Sequence, residues 1–128
     1  MLDHIGLKVT SLARAKAFYD QALKPLGVTA LFEAPAEKTG GTAFIGYGEG
    51  VKPYFWISEQ PRATELLHVA FAADTRAKVD AFYQAALAAG GKDNGPPGLR
   101  PHYHPTYYGA FVLDPDGHNI EAVCHAPA

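Results

Sequence analysis

The fold is decided by two stretches of equal length, HIGLKVTSLARAKAFYDQALKPLG at residues 4–27 and HVAFAADTRAKVDAFYQAALAAGG at residues 68–91. They align without a gap at an offset of 64 positions (68 minus 4). The identical positions are His4 and His68, Ala13 and Ala77, Ala17 and Ala81, Phe18-Tyr19 and Phe82-Tyr83, Ala22-Leu23 and Ala86-Leu87, and Gly27 and Gly91. A solenoid needs at least three repeats, so two copies indicate a duplicated domain.

Each copy begins with a strand pattern and continues with a helical one. Apolar residues alternate at 2–9 and 66–73, and then recur at spacings of three and four residues. Thr10 or Ser11 and Asp74 or Thr75 are suitable N-caps, and glycines follow each helical pattern. The helices are therefore predicted to begin near residues 11 and 75 and to end near Gly27 and Gly90.

The rest of each copy is rich in β-forming residues. Strands are predicted at 29–32, 42–46 and 53–58 in the first copy, and at 107–113 and 118–123 in the second. The turn sequence DPDG at 114–117 predicts a hairpin between the last two strands. Residues 92–106 are rich in Pro, Gly and His and are predicted to form a long ordered loop. The expected fold is α+β, with two βαβββ modules at about 1–60 and 65–125 in one domain spanning 1–128.

Composition excludes several classes of function. The chain has 128 residues, a formal net charge of −2 and 48% hydrophobic residues, with 11 scattered Lys and Arg. This argues against a nucleic-acid partner. No stretch approaches the length of a membrane span, and the N-terminus lacks the pattern of a signal peptide. The only cysteine is Cys124, which cannot form an internal disulfide. We therefore expect a cytoplasmic protein without a membrane partner.

Strand alternation places three potential metal ligands on one face of the sheet. In the first strand Ile5, Leu7 and Val9 form the face that packs on the helix, which leaves His4 on the opposite, open face. The same reasoning puts His68 and Glu121 on the open face of the second module. Two imidazoles and a carboxylate suit a divalent ion such as zinc, iron, manganese or nickel, with positions left open for a substrate.

The sequence resembles the vicinal oxygen chelate superfamily, which includes glyoxalase I, extradiol dioxygenases, fosfomycin-resistance transferases and bleomycin-binding proteins. The resemblance rests on DHIG at 3–6, LHVAF at 67–71 and, most specifically, DPDGHNIEAV at 114–123. It implies paired modules around a cup-shaped mixed sheet with the helices outside. It also implies one divalent metal held by His4, His68 and Glu121, which chelates adjacent oxygens of a small-molecule substrate. It further implies a homodimer whose cups are completed across subunits.

The resemblance leaves the reaction open. Glyoxalase I adds a fourth ligand from the last strand of the first module, and the offset of 64 puts Ile57 there, with Glu59 as an alternative after a shift of register. An isomerase or lyase is favoured, followed by a ring-cleaving dioxygenase and a thiol transferase acting on an epoxide. The alternative class is a non-catalytic protein that binds a small molecule, as bleomycin-resistance proteins do. Metal content separates the two classes.

Further candidates lie mainly in residues 100–108. His102 or His104, or else Tyr107, is predicted to exchange a proton with the substrate, and otherwise the loop is only a packed wall. Glu121 is a catalytic candidate as a metal ligand and is therefore not free to carry the proton. The argument for the two histidines assumes an extended segment, in which they share a face. The candidate substrate contacts are Arg100 and Lys8, which otherwise reach water, and Phe55, which otherwise serves the core or a subunit contact. His118 is expected to be exposed, and Cys124 to be buried.

Overall fold

The computed structural model describes residues 1–61 and 65–128 of the chain. The elements, in order, are β1 (Ile5–Val9), α1 (Leu12–Ala22), a 3-10 helix (Lys24–Leu26), β2 (Thr29–Ala34), α2 (Ala36–Thr39), β3 (Phe44–Glu49), β4 (Lys52–Glu59), β5 (His68–Ala72), α3 (Arg76–Ala88), β6 (Lys92–Leu99), β7 (Tyr108–Leu113) and β8 (Asn119–Cys124). Within these two described segments, no helix has the length and apolar character needed to cross a membrane.

The two long helices begin at one of the two N-caps predicted for each. The Ser11 hydroxyl accepts a hydrogen bond from the backbone N–H of Arg14, and Thr75 does the same for Lys78. These bonds satisfy backbone donors that have no partner inside the helix. Each helix then buries one apolar face; the buried residues are Ala15, Phe18, Tyr19 and Ala22 in α1, and Val79, Phe82, Tyr83 and Ala86 in α3.

The strands form two four-stranded mixed sheets of identical topology, ordered β1-β4-β3-β2 and β5-β8-β7-β6. In each sheet the first strand pairs in parallel with the last strand of its module, and the other pairs are antiparallel. This confirms the α+β fold with two βαβββ modules. The helices cover one face of each sheet, and we call the opposite face the open face.

The core lies between the sheets and the helices and continues from one module to the other. Phe55 of β4 and Phe71 of β5 meet in it, with ring centroids 5.1 Å apart. Phe55 is 0% exposed and pairs with Ile5 on the helix side. Phe55 thus has its alternative role in the core, and its predicted contact with a substrate stays a prediction. Cys124 is buried, as expected.

The predicted loop at 92–106 is largely a strand. Residues Lys92–Leu99 form β6, which pairs with β7 through two irregularities of register. Prolines at 96 and 97 lack the N–H that an inner strand needs, but β6 lies at the edge of its sheet, where proline is tolerated. The connection to β7 is then a tight loop, closed by a hydrogen bond from the N–H of Arg100 to the carbonyl of Tyr107 at 2.8 Å.

The turn between β7 and β8 joins the modules, and we call it the 114–118 turn. Asp114 accepts hydrogen bonds from the Tyr19 hydroxyl at 2.6 Å and from two backbone N–H groups of its own turn. His118 is 0% exposed; its Nδ1 accepts from the N–H of Leu67, and its Nε2 lies 2.8 Å from the carbonyl of Lys8. The expectation that His118 is exposed was wrong, because this turn is covered by the other module.

Candidate functional site

His68 and Glu121 lie together on the open face of the second sheet. Ala70 of β5 pairs with Glu121 of β8, and the imidazole Nε2 of His68 is 2.7 Å from Oε1 of Glu121. The carboxylate is buried, with Glu121 1% exposed. Its other oxygen, Oε2, accepts a hydrogen bond from the hydroxyl of Tyr107. Both oxygens of a buried carboxylate are thus engaged by side chains that the sequence had singled out.

Local sequence explains how this carboxylate can be covered. Gly109 lies under Tyr107, and a Cβ there would be 3.0 Å from the tyrosine ring and 3.4 Å from Oε2 of Glu121. Phe111 pairs with Glu121, and its ring centroid is 6.2 Å from that of His68. Burial, and then the hydrogen bond to Glu121, raises the pKa of Tyr107 above its ordinary value. Tyr107 therefore stays protonated, and its hydroxyl donates a hydrogen bond to the carboxylate.

Arg100 stands beside this group but already has partners. Its two terminal nitrogens donate to the carbonyls of Gly98 at 2.8 Å and Pro96 at 2.7 Å. Its guanidinium carbon lies 5.5 Å from the centre of the Phe111 ring. Arg100 thus secures the end of β6, and its predicted contact with a substrate anion stays a prediction.

The two loop histidines are less closely connected with the site. Residues 101–106 form turns, so the extended segment on which their common face depended is not present. Both are exposed; the His102 ring packs on Tyr103, and Nδ1 of His104 accepts from the N–H of Thr106. Of the three proposed proton carriers in the loop, Tyr107 contacts Glu121. A catalytic role for His102 or His104 remains a prediction.

His4 does not join His68 and Glu121 within the chain. It directly precedes β1, is exposed, and bonds through Nδ1 to Asp3 at 2.8 Å. His68 instead lies towards the other end of β1. The residue before it, Leu67, donates its N–H to Nδ1 of His118, and Nε2 of the same imidazole lies 2.8 Å from the carbonyl of Lys8. Four residues of strand, from His4 to Lys8, span about 13 Å. Among residues 1–61 and 65–128, no three His, Cys, Asp or Glu side chains form a group that could hold a metal.

Register identifies the counterpart of Glu121 in the first module as Trp56. Gly6 pairs with Trp56 as Ala70 pairs with Glu121, so the offset here is 65 (121 minus 56) and not 64. Ile57 is buried on the helix side, and the assignment of this position to Ile57 was wrong. Glu59 is on the helix side as well; its Oε2 accepts from the N–H of Leu12 at 2.8 Å and caps α1. The suggested ligand role of Glu59 is contradicted by this contact.

Trp56 belongs to an aromatic surface that the sequence analysis did not predict. Its ring centroid is 5.7 Å from that of Phe44 and 6.0 Å from that of Phe32. We call these three residues the aromatic groove. Phe44 and Trp56 border a cavity of about 760 Å³ that also reaches Gly6 and His4. Strand alternation carries the signal for this position. If the apolar Phe55 and Ile57 face the helix, Trp56 between them must lie on the open face.

Comparison with known proteins agrees with this architecture. The model of the Glyoxalase/Bleomycin resistance protein/Dioxygenase superfamily matches residues 1–122. A solved glyoxalase/bleomycin resistance protein from Albidiferax ferrireducens is 28% identical, covers 98% of this chain and is covered to 98% by it, with a TM-score of 0.75. No curated protein sequence matches the chain significantly.

Two further structures extend the comparison. A variant of glyoxalase I from Zea mays is 25% identical with a TM-score of 0.70; the match covers 95% of this chain and 46% of the maize protein, so the chain spans less than half of that enzyme. A glyoxylase/bleomycin resistance protein/dioxygenase domain from Frankia sp. is 17% identical, with a TM-score of 0.73 and coverage of 97% and 96%, and shows the shared fold alone.

Proposed function

Because the chain belongs to the Glyoxalase/Bleomycin resistance protein/Dioxygenase superfamily, we propose that it is a metal-dependent enzyme acting on a small organic substrate with adjacent oxygens. The observation that carries the proposal is the pairing of His68 with Glu121 on the open face. An open divalent metal site has three protein donors. An imidazole and a carboxylate this close together would supply two of them. An isomerase or lyase is favoured, and a ring-cleaving dioxygenase is the second reaction class.

The residues of one chain fit such a metal only in part. His68 and Glu121 are adjacent, whereas His4 lies at the far end of β1 and faces the cavity on the first sheet. We propose that His4 of a second copy supplies the third donor in a homodimer. Zinc, iron, manganese or nickel bound there would polarise the substrate oxygens as a Lewis acid.

The remaining polar residues have roles that do not depend on the identity of the metal. The Tyr107 hydroxyl restricts rotation of the Glu121 carboxylate by donating to Oε2, which leaves Oε1 directed towards His68. The carboxylate is shielded from water, since Glu121 is 1% exposed, which strengthens its interaction with any cation. Glu121 is thus oriented before a ligand arrives.

A second function is favoured by a separate observation, the aromatic groove. A non-catalytic protein that sequesters a small molecule needs a cavity lined by apolar and aromatic side chains. The cavity of about 760 Å³ beside Trp56 and Phe44 has that character. In this alternative the groove binds the ligand, and His68 and Glu121 contribute polar contacts without a metal.

Metal titration distinguishes the two functions. We expect protein freed of metal to take up one divalent ion per chain with low-micromolar affinity or better, measured calorimetrically and by elemental analysis. Glu121→Gln should weaken binding by about a hundredfold or more, since losing even an outer partner of a metal ligand costs 10- to 100-fold. Glu37→Gln, an exposed change in α2, is the matched control. Ligand binding in the groove by a protein that takes up no metal would establish the second function instead.

A further inference from the structure

We infer that the aromatic groove, together with Lys8, binds the ring of an aromatic carboxylic acid. The inference rests on the proposed function only in that a small molecule occupies the open face. It specifies the chemical class of that ligand from side chains that neither the family match nor the metal proposal uses.

The groove presents aromatic faces and edges to solvent. Phe32 and Phe44 stack with centroids 6.0 Å apart, and Trp56 meets both at steep angles. Phe32 is 49% exposed. Phe44 and Trp56 are half-buried. Partly exposed aromatic rings at these spacings leave room for a further ring to stack or to meet them edge to face. A planar aromatic ligand therefore fits this surface better than an aliphatic one.

Glycines on both sides of Trp56 shape the groove. Gly6 and Gly46 are its neighbours on β1 and β3. A Cβ at Gly46 would lie 2.7 Å from the indole, so the indole extends across that position. At Gly6 a Cβ would meet little, its nearest neighbour being a backbone oxygen at 3.9 Å. The space above Gly6 is therefore open, and it lies directly beside the indole of Trp56.

Lys8 supplies the charge. It is exposed on the open face two residues beyond Gly6, and its partner across β4 is Ser58, which also pairs with Phe44. Lys8 and Phe44 therefore flank Ser58 in one row, next to the row of Trp56. Within residues 1–61 and 65–128 the Lys8 ammonium has no hydrogen bond or ion pair.

The two charged residues that line the cavity, Lys52 and Asp3, neutralise each other. Lys52 forms an ion pair with Asp3, and Asp3 also bonds to His4. The backbone of Lys8 is itself held by His118, at 2.8 Å from the Lys8 carbonyl. A cation on a fixed strand, without a partner and one row from the groove, favours an anionic group attached to the bound ring. A carboxylate accepts charge-assisted hydrogen bonds from an ammonium group.

The sole tryptophan provides the signal for a test, because Trp56 is the only one in the chain. Benzoate, benzamide and cyclohexanecarboxylate would each be titrated into the full-length protein while the tryptophan emission is followed, with calorimetry in parallel. Benzoate should bind about tenfold more tightly than either of the others, because only benzoate combines the ring with the charge. Equal affinity for benzoate and benzamide, or for benzoate and cyclohexanecarboxylate, would overturn the inference.

Variants separate the contribution of the Lys8 charge from that of the aromatic rings. Lys8→Met should weaken benzoate binding about tenfold and leave benzamide unchanged, whereas Lys8→Arg should retain most of the affinity. Lys24→Met, an exposed change in the 3-10 helix, is the matched control. Phe44→Leu should weaken benzoate and benzamide alike. A Lys8→Met protein that binds benzoate as the wild type does would contradict the role of Lys8.

The same titration separates this inference from the metal proposal. It is run with chelator and again on His68→Ala, where the proposed metal site is lost. Benzoate binding that persists in both conditions supports the groove even if the metal proposal fails. If the wild-type protein takes up metal but neither its tryptophan emission nor its calorimetric signal responds to benzoate, the inference about the groove is overturned and the metal proposal is not.

Discussion

The open faces of the two sheets share a backbone plan but carry opposite chemistry. On the second sheet, His68, Glu121 and Tyr107 form a hydrogen-bonded polar group. On the first sheet the corresponding strands carry His4 and Trp56, and aromatic rings replace the carboxylate. Duplication has thus kept the topology while the residues at equivalent positions diverged.

The helix side shows why this divergence is tolerated. There, Phe18 and Phe82 occupy the same place in the two helices, and both are fully buried. Strand alternation separates the face that stabilises the fold from the face that meets ligands. An open-face residue can therefore change its chemistry at little cost to the core, which makes the two halves a natural comparison between a polar site and an apolar one.

The largest expected effect concerns a buried polar contact between the two halves. Asp114→Ala should lower the free energy of unfolding by about 3–5 kcal/mol, because it leaves several buried donors without an acceptor. Asp114 is 4% exposed, and one of these donors is the Tyr19 hydroxyl of the other module. Urea denaturation at neutral pH measures the change.

A matched aspartate controls for the loss of charge. Asp74 forms a surface ion pair with Lys78, so Asp74→Ala should leave the free energy of unfolding nearly unchanged. Similar losses in the two variants would contradict the role given to the 114–118 turn in joining the modules.

The next effect comes from replacing Trp56 of the first sheet by the residue type found at the equivalent position of the second sheet. Trp56→Glu places a carboxylate at the position equivalent to Glu121, next to His4. If the site forms across two copies, metal affinity should rise about tenfold through the added donor, and benzoate binding should be lost. Trp56→Phe, which adds no donor, should leave metal affinity unchanged. Calorimetry follows both ligands, and unchanged metal affinity in Trp56→Glu would show that Trp56 does not border the metal.

A smaller effect is expected at the polar face itself. Tyr107→Phe removes the donor to Oε2 of Glu121 and should destabilise the protein by about 1–2 kcal/mol. Tyr103→Phe, at an exposed ring that packs on Tyr107, is the control and should be nearly neutral. If the two variants are equally stable, the bond to Glu121 contributes nothing.

The smallest effect is a dependence on alkaline pH. Burial is the main cause that raises the pKa of both Tyr19 and Tyr107 above the ordinary tyrosine value, and Asp114 and Glu121, respectively, add to it. The folded state therefore keeps protons that the unfolded state releases, so stability is present below about pH 10 and declines as pH rises further. Urea denaturation between about pH 8 and pH 11 tests this, and Tyr107→Phe should show a slightly shallower decline. Constant stability over this range would be inconsistent with the roles given to the hydroxyls of Tyr19 and Tyr107.

Local patterns were sufficient to predict the repeated fold. The helices, the caps at Ser11 and Thr75 and the final hairpin all follow from periodicity and turn residues close in sequence. The placement of His68 and Glu121 on one face followed from alternation, which needs only a strand and its phase. These features depend on neighbours along the chain.

The errors depended on contacts between distant segments. The shift from Ile57 to Trp56 arises because one residue more separates β5 from β8 than separates β1 from β4, which only the pairing register reveals. The prolines of β6 predict a loop, because proline is acceptable in a strand only where the strand lies at a sheet edge. His118 was expected to be exposed because its partners lie 51 and 110 residues away.

The most direct measurement of the central claim, a metal site built from two copies, is subunit complementation. His4→Ala and His68→Ala are prepared separately, freed of metal, and then mixed and allowed to exchange subunits. Each variant alone should bind no metal tightly. The mixture should regain tight binding at about a quarter of its sites, because half of the dimers are mixed and one of the two sites in each has both histidines. A mixture that binds no more metal than its components would contradict a site shared between subunits.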